Sequence, residues 1–224
     1  MDIQTKTTHT AMLLYELQQL LIQIKTCNGG EAAESRLSVE LLSQHGLQLL
    51  HYALFAIESQ QTALPLTTVN AGAAMHEVVN ELQPLAATYG ATIAFDSSPY
   101  LEPVHAHKTS LKGSIYALLA GVITSSTNAV APHFTVAVQQ TKPHEQRIGV
   151  YSDTTPLHTS MVKKRQQVRV ARMDSTRTSH RSGLGFAVSQ ILTDKLEASF
   201  VSFEHKNVPG IGFYLPESAQ LQLV

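Results

Sequence analysis

The chain has 224 residues, 43% of them hydrophobic, enough for one substantial core or for one core with a small helical domain. Its formal net charge of -1 gives no global attraction to nucleic acid or to an anionic membrane, so charge has to be read locally. Cys27 is the only cysteine, which excludes an intrachain disulfide and a cysteine-rich zinc site and agrees with a cytoplasmic protein; no run approaches the roughly 20 apolar residues of a membrane span, and Met1-Asp2-Ile3-Gln4-Thr5-Lys6 lacks a signal-peptide pattern.

From Thr10 to Lys25, Leu13, Leu17, Leu20, Leu21 and Ile24 recur at spacings of three and four, which predicts a helix that Cys27-Asn28-Gly29-Gly30 ends. A second helical run passes through Leu37, Leu41, Leu42, Leu49, Leu50, Ala53, Phe55 and Ile57. The two form a hairpin, and self-association into a four-helix bundle would cover their apolar faces, so a homodimer is expected. A polar stretch, Gln60 to Thr68 with Pro65, reads as a linker or short edge strand and marks the boundary between domains.

Asn70 is placed to cap a helix carrying Met75, Val78, Val79, Leu82 and Leu85 and ending before Gly90. A short strand from Ala91 to Phe95 and an apolar helix from Leu111 to Ile123 follow, then two alternating strands, Phe134 to Val138 and Arg147 to Tyr151, joined as an antiparallel hairpin. A helix from Leu184 to Lys195 and strands at Ser199 to Glu204 and Gly212 to Leu215 complete an α+β sandwich.

Ser182-Gly183-Leu184-Gly185-Phe186 reads as a glycine-hinged loop opening a helix. Without a Cβ, Gly183 and Gly185 can bring their amides close to a phosphate, at a helix N-terminus that favours an anion; the plain alternative is an ordinary turn. Between Val162 and Arg181, Lys163, Lys164, Arg165, Arg169, Arg172, Arg177 and Arg181 face one acid, Asp174. In position the segment resembles the ATP lid of histidine kinases, which ranks a flexible phosphate-contacting lid first, a partner-docking segment second and a nucleic-acid contact third; a mobile solvated loop carries the same charge, and the scarcity of aromatics argues against single-strand stacking.

In order of elements, nearly the whole chain resembles a bacterial sensor histidine kinase core: a dimerising phosphoacceptor hairpin, here 1–60, and an ATPase sandwich, here 69–218. The glycine loop together with Gly210-Ile211-Gly212-Phe213-Tyr214-Leu215-Pro216 is similar to the family's second glycine box and closing strand. By that resemblance Asp153, Gly183, Leu184 and Gly185 are the nucleotide-binding candidates. The family transfers the γ-phosphoryl group of ATP to a histidine and then to an aspartate of a response regulator.

Several residues depart from the family pattern. Tyr15 stands where Tyr15-Glu16-Leu17 is similar to the phosphoacceptor box, and a phenol with a pKa of about 10 is a poor substitute for a nucleophilic imidazole. Ala117 and Gly121 replace the two helix asparagines, the second of which is expected to hold magnesium; Asn128-Ala129 lies too close to the strand at Phe134 to serve instead. Asp153 follows its strand as the first glycine box requires and is a candidate for the adenine amino group, or else a turn residue, whereas Thr155 replaces a glycine. The resemblance thus leaves ATP binding possible but weakened and leaves magnesium without its side-chain ligand.

Eleven histidines supply no motif of their own. His105 and His107 are spaced for one face of a strand but lack the further ligands of a zinc site. His9 is turned about 240° from Tyr15 on a helix, and His45 and His51 read as exposed helix residues. Three functions stay open: a divergent kinase core impaired in autophosphorylation, a non-catalytic adaptor or phosphotransfer-like dimer that binds a response regulator, and a nucleic-acid binder.

Overall fold

The computed structural model describes residues 33–59, 64–126, 131–142, 145–155, 157, 159 and 184–215. The first predicted helix with Tyr15 and His9, the basic stretch 163–181, Asn128-Ala129 and Gly183 lie outside the described residues.

Helix α1, Ala33–Glu58, is the second predicted helix. Leu42, Leu49, Tyr52, Ala53 and Ala56 fall on one face and belong to the same buried core as the sandwich that follows. One face of α1 is thus covered within the chain. Leu47 and Leu54, seven residues apart, stay 68% and 49% exposed on another.

Strand β1, Thr67–Val69, pairs antiparallel with β3, Val104–Ala106, matching Thr67 to Ala106 and Val69 to Val104. Helix α2, Ala71–Thr88, begins where Asn70 accepts a hydrogen bond from the Ala73 amide at 2.9 Å, and it stops at Gly90, whose φ of 65° is the left-handed conformation that glycine adopts without strain. Its buried residues include Met75, Val78, Val79, Leu82 and Leu85, the stripe read from the sequence.

The main sheet contains β2 (Thr92–Ser97), β4 (His133–Lys142), β5 (Glu145–Tyr151), β6 (Val201–His205) and β7 (Val208–Leu215) in the order β2-β4-β5-β7-β6. β2 and β4 are parallel and need the crossover that helix α3, Lys108–Ser125, supplies; the remaining neighbours are antiparallel. Lys206 and Asn207, with φ of 51° and 63°, form the two-residue turn between β6 and β7. On the inner face Val136, Val150 and Ile211 stand in one row and Val138, Ile148 and Phe213 in the next, all in the core with α2 and α3.

The outer face of the sheet has a small centre of its own. Ala137 and Tyr151 are 1% exposed, yet neither joins the main core. The Tyr151 ring fits over Gly149 and Gly210, where a Cβ would collide with it. Over this ring the Gln139 amide donates to His205 Nδ1 at 2.6 Å, which leaves His205 Nε2–H to donate to Asp96 at 2.8 Å; Lys206 bonds the same carboxylate. Arg147 donates to the other end of Gln139 at 3.0 Å, and its guanidinium lies 5.1 Å from the centre of the Phe203 ring.

Candidate functional site: the junction of two helices

Helix α4, Leu184–Asp194, starts directly after Gly183 and packs on α3. Gly113, Ala117 and Gly121 of α3 recur every four residues and so line one side of the helix, which lets another backbone approach. Gly185 uses that approach. A Cβ built on it would be closer to the Ala117 carbonyl oxygen than any real contact allows, and 2.9 Å from the Gly121 Cα. One turn further along, Ser189 Oγ donates to the Ser114 carbonyl at 2.6 Å. At the far end a Cβ on Gly113 would meet Tyr52 of α1 at 2.5 Å and Leu192 of α4 at 2.7 Å.

Every residue from Gly113 to Thr124 is buried. A helix apolar on all sides belongs in the interior, and α3 has α1, α2, α4 and the sheet around it. The two positions that resemble the family's asparagines are therefore packing positions: Ala117 is fully buried, and Gly121 faces Phe186, whose ring carbons would stand 3.2 Å from a Cβ at 121. The sequence does not reveal this packing role.

Among the described residues the donor set does not fit a magnesium nucleotide. Gly121 has no ligand atom, and the nearest α3 hydroxyl, Thr124 Oγ1, donates to the Ala120 carbonyl of its own helix at 2.9 Å. Among the described residues no three His, Cys, Asp or Glu side chains gather as a metal site would require. Asp153 is exposed just beyond β5. The inward alternation of Ile148 and Val150 continues to Ser152, which is 2% exposed; its hydroxyl donates to the His133 carbonyl at 2.8 Å and accepts from the Thr155 amide at 3.1 Å. Ser152 thus closes a turn, with no carboxylate in the inward position.

Among the described residues the histidines do not gather as a site. His105 is in β3, but that strand ends at Ala106, and His107 caps α3: its Nδ1 accepts from the Ser110 amide at 3.2 Å and its ring stacks on Phe55 with centroids 5.2 Å apart. This corrects the shared strand face. Burial lowers the His107 pKa below its ordinary value. His51 is exposed as expected, but His45 is 4% exposed, because α1 turns it toward the sandwich, where Nδ1 lies 3.1 Å from the Tyr116 hydroxyl. Burial lowers its pKa to about 4 and raises that of Tyr116. The pair borders a cleft of about 220 Å³ between α1, α2 and α3, shared with Gln44, Gln48 and Glu81.

A layer of helices on a mixed sheet in this order has solved counterparts. The Acinetobacter baumannii histidine kinase AdeS superposes with a TM-score of 0.54 at 15% identity, covering 92% of this chain and 95% of that one. The catalytic domain of histidine kinase ThkA gives 0.51 at 15% identity over 69% of this chain and 97% of that one. ThkA in complex with response regulator protein TrrA gives 0.57 at 13% identity over 94% of this chain and 61% of that one. The fold is that of a histidine kinase core. No family model and no curated protein matches the sequence. No helix among the described residues is long and apolar enough to cross a membrane.

Proposed function

We propose that the chain is a two-component signalling protein built on the histidine kinase fold and impaired in autophosphorylation. The observation that carries this reading is the contact of Gly121 with Gly185 and Phe186 on an α3 buried from Gly113 to Thr124, because it puts helix packing where the resemblance expects a metal ligand. Tyr15 in the phosphoacceptor position adds to it from the sequence.

The same enclosure favours the non-catalytic form of the reading, an adaptor or phosphotransfer-like homodimer that binds a response regulator. Its support is twofold. ThkA, with the same fold, has been solved with a response regulator, and Leu47 and Leu54 leave an apolar stripe on α1 with the spacing of a helix-bundle seam. The cytoplasm is the setting that such a partner implies.

Two measurements on the full chain test this. Incubation with γ-labelled ATP and magnesium is expected to leave no acid-labile label; phosphorylated histidine would restore the kinase reading. Purified receiver domains of response regulators are expected to bind saturably at micromolar concentration; no binding by any of them would remove the two-component assignment.

A further inference from the structure

We infer that Gly121 and Phe186 are a packed pair that fills the metal corner of the nucleotide pocket, so that the chain works without a bound magnesium nucleotide. The identity of that corner rests on the histidine-kinase reading above; the packing stands on the coordinates alone. The resemblance expects an asparagine at 121, where this chain has glycine, and the Phe186 ring of α4 stands in the adjoining space. An interior packed to crystal density has no room for an added side chain unless its neighbours shift.

The geometry shows what the packing does. A side chain at 121 would have to leave the helix through Phe186 Cδ2 and Cε2, 3.2 Å from its first carbon. Phe186 is 1% exposed and belongs to the main core, so its ring cannot move aside into solvent. Neither can α4 withdraw as a whole. Gly185 is seated on the Ala117 carbonyl, the Ser189 hydroxyl is bonded to the Ser114 carbonyl, and Leu192 is wedged at Gly113. The corner is not an emptied metal site but a packed one, and restoring the asparagine alone would add volume without a place for it.

Calorimetric titration of the full chain with magnesium-ATP is expected to give no saturable heat up to millimolar nucleotide; saturable binding overturns the inference. Thermal unfolding of Gly121→Asn is expected to fall by roughly 3–10 °C, and Phe186→Leu in the same chain should recover part of that loss although Phe186→Leu alone is also destabilising. Shifts that simply add would show the two residues to be independent and would equally overturn the pairing. If Gly121→Asn does not fold, Gly121→Ala with and without Phe186→Leu gives the same comparison, with the same non-additivity expected. Receiver-domain binding by the unmodified chain separates the two claims: its absence removes the signalling reading and leaves the packed corner standing, and nucleotide binding does the reverse.

Discussion

Asp96 and His205 lie on the two edge strands of the five-stranded sheet, and the imidazole Nε2 of one stands 2.8 Å from the carboxylate of the other. Edge strands meet in this way only if the sheet curls about its outer face, which the glycines beneath Tyr151 permit. The Lys206 ammonium first, and then His205, hold the Asp96 pKa below its ordinary 3.8. A carboxylate depressed in the folded state contributes stability above its unfolded pKa and loses it as the pH falls through the lower folded value. Asp96→Asn should therefore cost on the order of 1 kcal/mol at pH 7, since the lysine is largely exposed. Urea denaturation at pH 7 and below pH 3 should show the difference from the unmodified chain shrinking in acid.

His45 has the same sign and a different window. Its folded pKa of about 4 lies below its ordinary 6.5, because burial disfavours the charged ring. The stability it contributes is complete above pH 6.5 and is lost as the pH falls toward 4, in total about 3 kcal/mol. Tyr116, Glu81, Gln44 and Gln48 border the ring's surroundings, and a buried imidazolium there would strain the seat of α1. His45→Phe should flatten the stability profile between pH 6.5 and 4, measured as the urea midpoint; an unchanged slope would assign the titration to other groups.

Gly185 should be among the least replaceable residues of the chain. The Cβ of Gly185→Ala would collide with the Ala117 carbonyl and the α3 backbone, neither of which can rotate away. A loss of more than about 3 kcal/mol is expected. At Gly90 a Cβ meets nothing within 4 Å, so Gly90→Ala should cost only the left-handed backbone strain, about 1–2 kcal/mol. Guanidinium unfolding of both variants would rank them, and similar losses would argue against the tight α3–α4 contact.

The Leu47–Leu54 stripe gives a prediction about assembly. Leu47→Asp together with Leu54→Asp should shift sedimentation from dimer to monomer with little effect on the melting temperature, as both side chains are exposed in the single chain. A monomeric unmodified chain would show that the stripe serves another purpose.

Most elements are legible because their signals are local. The apolar stripe of α2 with Asn70 before it and Gly90 behind it marks that helix within a few residues, and the alternation of β4 and β5 marks their hairpin. Strand β3 is missed because Val104–Ala106 is too short for its alternation to be distinguished from a loop. The outer-face network is illegible for another reason: Asp96 and His205 are far apart in sequence, and only the curl of the sheet joins them. Gly121 is the instructive residue. Sequence comparison presents it as a ligand lost, and its meaning as a packing surface appears only with Gly185 and Phe186 against it.

Tyr52 has its ring edge in the notch left by Gly113, and the Lys195 ammonium bonds the Ser59 carbonyl just beyond the end of α1. A helix keyed into its neighbour by an aromatic tooth and fastened at its end has no slip plane. For α1 to turn or slide, Tyr52 would have to leave the Gly113 notch and the Lys195–Ser59 bond would have to break.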